Sequence, residues 1–514
     1  MKEGAILLIS VHNQKALGIR YLERALTKAG FEVSVIYFKG YNSIRPGRAT
    51  FKELDILRGL IHAIRPRLIG ISVMTSLYLE TVLAVNRMVR ENFSIPILWG
   101  GVYASLFPAR CLEHADFVIR GEGEKAVVEL ADALYGNKCC HSIQNLAYKQ
   151  GDAVIINDVR KPVEDLDSLG YPLIGGSNKY FIDNDSLFRG DPQLNSISYE
   201  LTASRGCPFQ CSYCCSPNLH RLYKGKGRYL RFRSVSSVMD ELAQAKSTVK
   251  NLGFVRFWDE IFPDDETWVN EFSTRYKNEI GLPFEIWGHP LKIKRTVMTS
   301  LVKAGLNKVV VGIQSGSQRI RKEIFRRFES QEDILEASRV LSECRVPHVI
   351  YDFMLRHPFE TPDDLRQTYH LCTRLVPPFR LQLHGLNFLP GSDIVDKAVH
   401  MNIMAPGELD RIIDSPAEKQ YKMYWGPINH NILSDFWYSL IYMTQFKAGR
   451  AAAEYFSKRC DSGSCINAAI MLAKIIKPVA VIDSYHSKGK AIRKLLERRL
   501  SGGHIKKRQT VQDG

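Results

Sequence analysis

The first part of the chain alternates short apolar strand signals with amphipathic helix signals, and this rhythm limits the folds open to it more than any other feature. GAILLIS (4–10) is a buried strand run, IRYLERALTKAG (19–30) has helical three-and-four spacing and ends on glycine, and FEVSVIYF (31–38) returns to strand. LDILRGLIHAIRP precedes LIGISVM (68–74), LETVLAVNRMVREN precedes IPILWGG (95–101), and DFVIRGEGE (116–124) leads into the helix KAVVELADALYG. Strands joined through helices run parallel, and a parallel sheet needs helices on both faces. The pattern predicts an α/β, doubly wound domain over 1–147. Ligands in such folds bind beyond the carboxyl ends of the strands, where this sequence places Ser72 to Ser76, Gly100-Gly101 and Gly121 to Glu124.

Turn-rich sequence, including DLDSLGYPLIGGSN, makes 148–195 a connector. A second alternating region spans 196–400. Its strand candidates are SISYEL, VRFWDEIF (255–262), FEIWGHP (284–290), KVVVGIQSG (308–316), HVIYDFML (348–355) and LQLHGLNFLPGS (381–392). Six strands in this rhythm predict a partial (β/α)6 barrel, whose working face lies at the carboxyl ends. Residues 401–514 read as a helical, aromatic and basic region, with Tyr421, Tyr424, Trp425, Phe436 and Trp437 among its aromatics. Within it, INAAIMLAKIIKPVAVI (466–482) is either a core helix, the preferred reading, or a membrane-proximal surface admitting a lipid.

The 514 residues carry a formal charge of +16, concentrated in two runs. One extends from Arg221 to Arg233 without an acid, and the other holds Lys488, Lys490, Arg493, Lys494, Arg498 and Arg499 near the chain end. Such runs are usually solvated faces; anionic lipid, nucleic acid or an acidic substrate are the alternatives. The opening residues read as a buried strand rather than an export signal, and no apolar run reaches the roughly 18 residues of a spanning helix. A cytoplasmic protein with reduced thiols is expected, possible peripheral membrane contact aside.

Four of the eleven cysteines fall in TASRGCPFQCSYCCSP (202–217), spaced C-x3-C-x2-C-C. Three thiolates can hold three irons of a [4Fe-4S] cluster and leave the fourth without a protein ligand. A structural zinc site wants a fourth ligand, for which His220 is the nearby candidate, and a redox pair Cys211-x-x-Cys214 leaves Cys207 unexplained. Spacing alone leaves these readings open.

The stretch T-x-S-R-G-C-P-F-x-C-x-Y-C resembles the signature of radical S-adenosylmethionine (SAM) enzymes, with Cys207, Cys211 and Cys214 at the cluster-ligand positions and Tyr213 at the aromatic one. FWDEIFPDD, VVVGIQSGSQRI, RHPFET and LNFLPGSDI resemble later barrel segments of that family in the right order, with Gln314 where glutamate is common and Ser315 matching. The first domain resembles the flavodoxin-like cobalamin-binding module that precedes many such barrels, through Ser72, Met74, Thr75, Gly100, Gly101, Gly121, Glu122, Gly123 and Glu124. The loop S-V-H-N-Q-K (10–15) keeps only the histidine of the D-x-H-x-x-G motif, so His12 is not expected to ligate cobalt.

The resemblance implies a [4Fe-4S] cluster, SAM and cobalamin as cofactors, with cobalamin held by the first-domain residues just named and SAM by Tyr213, Gln314 and Ser315. It implies reductive SAM cleavage, hydrogen abstraction from an unactivated carbon and methyl transfer, with ring closure as the alternative outcome. A non-catalytic zinc-binding protein is the remote alternative. Partners implied are a small-molecule, lipid or peptide substrate and an electron donor such as flavodoxin or ferredoxin. A tRNA methylthiotransferase would need further N-terminal cysteines, none precedes Cys111, and nucleic acid is not expected. Cys215 reads as a bystander, Asp259 and Glu260 as substrate contacts or helix caps, and His384 as a core residue.

Overall fold

A computed structural model describes residues 4–41, 47–420 and 431–477. The first lobe is a nine-stranded sheet. Its strands are β1 (Ile6–Val11), β2 (Val33–Phe38), β3 (Leu68–Ser72), β4 (Ile97–Gly100), β5 (Phe117–Ile119), β6 (Leu146–Gln150), β7 (Ala153–Ile156), β8 (Lys179–Asp183) and β9 (Ser186–Arg189), ordered β7-β6-β5-β4-β3-β1-β2-β8-β9. The six central strands, β5 to β8 across the sheet, are parallel, and the remaining strands pair antiparallel at the two edges. Every residue of β1 and β2 is buried, which explains their unbroken apolar runs. Helices Phe51–Ile64 and Leu79–Asn92 cover one face, and Leu17–Lys28 and Glu124–Tyr135 the other.

The supposed connector is part of this sheet. β7, β8, β9 and most of β6 fall within 148–195, with β8 joining β2 in parallel. These strands are four or five residues long and mix polar with apolar side chains because they lie at or near sheet edges, so their sequence lacks the buried-strand signature.

The second lobe has six parallel strands in chain order, β10 (Ser198–Leu201), then β13 (Phe254–Phe257), β14 (Phe284–Gly288), β15 (Leu306–Gln314), β16 (His348–Met354) and β17 (Arg380–His384). The ribbon β11 (Ser204–Arg205) and β12 (Arg231–Phe232) precedes the second of them. β10 and β17 are edges, so the barrel is partial. Its largest core lies between the strands and their helices, and Phe436, Trp437, Leu440 and Ile441 of helix Ile432–Met443 belong to it.

Along one register row, Glu200, Arg256, Glu285 and Lys308 stand on successive strands with alternating charge. Each neighbouring pair forms an ion pair. Lys15 of the first lobe extends the row, its Nζ donating to Glu200 Oε1 at 2.7 Å and to Ser198 Oγ at 2.5 Å.

Residues 463–477 are helical, with Ile466, Ala469 and Ala473 buried against the barrel core, as the core reading requires, and Met471 and Ile475 exposed. Tyr421, Tyr424, Trp425, residues 478–482 and the basic run from Lys488 lie outside the described residues. The other basic run is only partly a solvated face: Arg221, Lys224 and Arg228 are exposed, whereas Arg231 and Arg233 are buried. Arg221 pairs with Asp393, Lys226 with Asp158, Arg231 with Glu122 and Arg233 with Glu241. Among the described residues no helix is long and apolar enough to cross a membrane.

Candidate active site

The carboxyl ends of β3, β4 and β5 face the mouth of the barrel across a cavity of about 450 Å³. Ser72, Met74, Gly100, Gly101, Gly121, Glu122 and Gly123 all line it. Thr75 does not; its hydroxyl accepts from Leu77 N and caps the turn Ser76–Tyr78.

The first-lobe wall is largely bare backbone. Gly101 adopts φ +104°, and a Cβ there would stand 2.8 Å from Val73 O. Gly121, at φ +70°, leaves room for the Tyr223 hydroxyl of the barrel lobe. Gly100 differs, because a Cβ there would meet only Ile119 O, at 3.9 Å, and one at Gly18 would meet nothing within 4 Å. Packing within the protein does not demand glycine at these two cavity-lining positions, so the open wall is a cradle whose shape suits a bound group. Gly18 escaped the sequence reading because it stands at the edge of the helical pattern that begins at Ile19, in the first turn of helix Leu17–Lys28, where nothing local marks a cavity.

Glu122, besides lining the cavity, makes contacts that the local sequence does not announce. Its carboxylate accepts from Arg231 Nη2 (2.8 Å) and Val163 N (2.8 Å) and pairs with Arg205 (3.4 Å), while Glu124 takes Arg205 Nη2 at 2.6 Å. Burial pushes the Glu122 pKa up, but the Arg231 hydrogen bond and the two guanidinium charges outweigh it and leave the group below the usual carboxylate range. These acids clamp the first lobe to the barrel. His12 is buried away from the cavity lining, its Nε2 2.9 Å from Thr81 Oγ1, and burial lowers its pKa.

Cys207, Cys211 and Cys214 occupy the loop after β11. The end of the helical turn Ile320–Ile324 and the start of helix Asp393–His400 anchor it, since Ser212 N donates to Phe325 O (3.0 Å), Ser212 Oγ to Ile324 O (2.6 Å), and Ile394 N to Ser212 O (2.8 Å). Burial pushes Cys207 up to about 12 and also raises Cys211, which Arg327 counters. Cys214 is raised first by its hydrogen bond to Cys215 and then by burial, and the same bond lowers Cys215. The bystander is thus a partner of one thiol.

Among the described residues, no three cysteine, histidine or carboxylate side chains converge on a point where one metal ion would sit. Ser216 N, 3.4 Å from Cys214 Sγ, and Arg327 Nη1, 4.0 Å from Cys211 Sγ, favour anionic sulfur.

Arg327, absent from the sequence candidates, organises this region. It donates to Tyr213 Oη (3.0 Å), Gly312 O (2.6 Å) and Glu329 Oε1 (2.6 Å), and Glu329 in turn lies 3.5 Å from His289, whose ring stacks on Phe209 at 3.8 Å. Its only sequence signal was a second arginine in a basic stretch.

Gln314 ends β15 at φ 71°; its Nε2 donates to Asp352 Oδ2 at 3.2 Å, and its buried Oε1 has no protein partner. Ser315 is fully buried, its hydroxyl accepting from Ser317 N. Neither these two residues nor Tyr213 line the interlobe cavity. His384, read as a core residue, is largely buried and paired with Asp352. Nε2 lies 3.1 Å from Asp352 and Nδ1 3.0 Å from Gly385 O, both acceptors, and Asp352 raises its pKa against the burial that lowers it. Asp259 and Glu260 do not cap the next helix, which Asp265 caps. Asp259 accepts from Ala203 N and Ser204 Oγ, burial raising it to about 6, and Glu260 accepts from Ser216 Oγ at 2.8 Å.

Residues 6–131 match the B12 binding domain family and 201–372 the radical SAM superfamily. An uncharacterised methyltransferase of Pyrococcus horikoshii is 25% identical over 413 residues, covering 78% of this chain and 82% of its own. An anaerobic magnesium-protoporphyrin IX monomethyl ester cyclase of Cereibacter sphaeroides is 24% identical over 376 residues, 69% of this chain and 55% of its own. The solved structure of the radical SAM methyltransferase TsrM from Kitasatospora setae, with cobalamin and a [4Fe-4S] cluster bound, shares the fold at TM-score 0.63 and 18% identity over 81% of this chain and 85% of that one. With a B12-binding domain and a radical SAM domain in one chain, and their two lobes facing each other across one cavity, the chain belongs to the cobalamin-binding radical SAM enzymes.

Proposed function

We propose that this enzyme methylates an unactivated carbon of a small molecule. The observation that carries the reading is the meeting of a glycine-walled cradle and the three-thiol loop's lobe across one cavity, since two cofactors and a substrate must come within reacting distance. When bound, the cluster with SAM supplies hydrogen-atom abstraction and the cobalamin supplies the methyl group. Cys207, Cys211 and Cys214 would hold the cluster. Ser72, Met74, Gly100, Gly101, Gly121 and Gly123, with Gly18, would border the cobalamin; Thr75 would act only by shaping the loop.

Tyr213, placed by Arg327, would wall the cluster. The unpartnered Gln314 Oε1 would accept from SAM, with Asp352 holding the amide by its nitrogen so that the oxygen faces the ligand. Ser315 would support that loop from inside. The salt-bridged clamp at Glu122 and Glu124 would keep the lobes together and bulk water out. The charge of +16 would draw an acidic electron donor of the flavodoxin or ferredoxin kind.

Ring closure is the second reading, favoured by the similarity to the magnesium-protoporphyrin cyclase. Lipid or peptide substrates and a membrane-facing role for the exposed Met471 and Ile475 are narrower possibilities within the same chemistry. The test is anaerobic reconstitution with iron, sulfide and cobalamin, then incubation with SAM, reductant and host extract. Methylation predicts 5′-deoxyadenosine and a product heavier by one CH2, whereas ring closure predicts a product lighter by a pair of hydrogens. Reconstituted protein that never forms 5′-deoxyadenosine contradicts both.

A further inference from the structure

We infer that the barrel wall of the cavity binds a flat, conjugated ring carrying a hydrogen-bond donor, with Trp258 as platform and Glu260 as acceptor. The inference deepens the proposed function and rests on it.

Trp258 directly follows β13, where its N–H donates to Leu201 O at 2.8 Å and fixes its backbone. Behind it lies Trp287 of β14, with ring centroids 4.4 Å apart and planes inclined by 20°. The Arg256 guanidinium, held in the row of alternating charges, stands 5.7 Å from the same ring. A rigidly backed indole that lines a cavity is nevertheless 45% exposed. Its neighbours on this wall are engaged: Tyr223 is buried with its hydroxyl accepting from Glu122 N at 2.7 Å, and Tyr229 stacks on His220 at 4.4 Å. Trp258 alone among them offers a large open aromatic surface, and a flat conjugated partner covers such a surface more completely than a puckered ring.

The charges of the wall narrow the class further. Arg205 and Arg231 are spent on Glu122 and Glu124, and Asp259 on Ala203 N and Ser204. No unpaired cation among these residues awaits a phosphate or carboxylate. Glu260, two residues after Trp258, is exposed on the cavity wall; its Oε2 accepts from Ser216, and its other neighbour is the Cys207 thiol, which has no proton to donate once it ligates the cluster. A carboxylate beside an indole face recognises a ring bearing N–H or O–H. Glu260 also faces the Cys207 thiol, so the platform lies between the cluster loop and the glycine cradle, where a substrate reached by both cofactors must sit.

The test is ligand-observed NMR titration of the reconstituted full chain with three probes: 2-naphthol, 2-methoxynaphthalene, which lacks the donor, and decahydro-2-naphthol, which is not flat. We expect 2-naphthol to bind at least about 10-fold more tightly than the saturated probe. Trp258→Leu should weaken 2-naphthol about 10-fold or more and Trp258→Phe by no more than about 3-fold. Glu260→Ala should weaken 2-naphthol about 5-fold while leaving 2-methoxynaphthalene within about 2-fold. Failure of 2-naphthol to bind, equal binding by Trp258→Leu, or no preference for the flat probe overturns the inference. So does a Trp258→Leu protein that loses corrinoid but keeps 2-naphthol, because the ring would then face the cobalamin. Iron and corrinoid content are measured on every sample, so a wild-type chain that takes up neither counts against the proposed function, and probe binding to loaded protein judges the platform alone.

Discussion

The first lobe meets the cavity with backbone, at Gly18, Gly100, Gly101, Gly121 and Gly123, whereas the barrel lobe meets it with side chains, Tyr223, Trp258, Asp259 and Glu260 among them, the last of these beside the Cys207 thiol of the cluster loop. A wall of bare backbone recognises by shape and is harmed by added bulk. A wall of functional groups recognises by chemistry and is harmed by truncation. The clamp of Glu122 and Glu124 on Arg205 and Arg231 joins the two and belongs to neither mode.

The largest effect should come from truncation on the barrel side. Cys211→Ala should abolish the iron-sulfur absorbance and SAM cleavage, while Cys215→Ala, which removes only the partner of Cys214, should retain iron; equal iron in both proteins would break the assignment. Added bulk should be the sharper probe of the first lobe. Gly100→Val points into open cavity, so urea unfolding of the cofactor-free protein should move by less than about 1 kcal/mol, while cobalamin affinity falls about 100-fold or more. Retained affinity would mean that the cradle is not where the corrinoid sits.

The clamp should show a smaller, purely energetic effect. Glu122→Gln strands Arg231, which is 5% exposed, and should cost about 2–3 kcal/mol at neutral pH. Because the folded pKa of Glu122 is depressed, its contribution is complete above the ordinary carboxylate value and is lost as pH falls through the folded value. The gap between wild type and Glu122→Gln in urea unfolding should therefore be full above the ordinary carboxylate value of about 4.3 and narrow as pH falls below it. A gap that persists there would assign the loss to packing rather than charge.

Much of the architecture was legible before any coordinates. Buried runs such as ILLISV and VSVIYF announce strands covered on both faces, and the amphipathic stretches between them impose parallel pairing. KYFID and SLFR were read as connector because an edge strand has a wet face and no such run. Within the site, the cysteine loop and the cavity-lining glycines could be read from spacing and neighbours. The clamp at Glu122 was not legible because its partners, Arg205 and Arg231, lie far along the chain. Arg327 was missed since nothing local marks an arginine that reaches Tyr213 and Cys211. His384 reads as a core residue from its strand alone, and only the pairing of β16 with β17 sets it against Asp352.

The sequence by itself determined the two βα lobes, the three-thiol loop and the small residues at the strand ends, because side-chain periodicity and short spacings are properties of neighbouring residues. Tertiary structure decided that Glu122 is a clamp, that Gln314 keeps a free acceptor, that Gly18 belongs to the cradle and that Trp258 stands open against Trp287. Those outcomes depend on contacts between residues tens to more than a hundred positions apart, which register and lobe docking create and which no local pattern encodes.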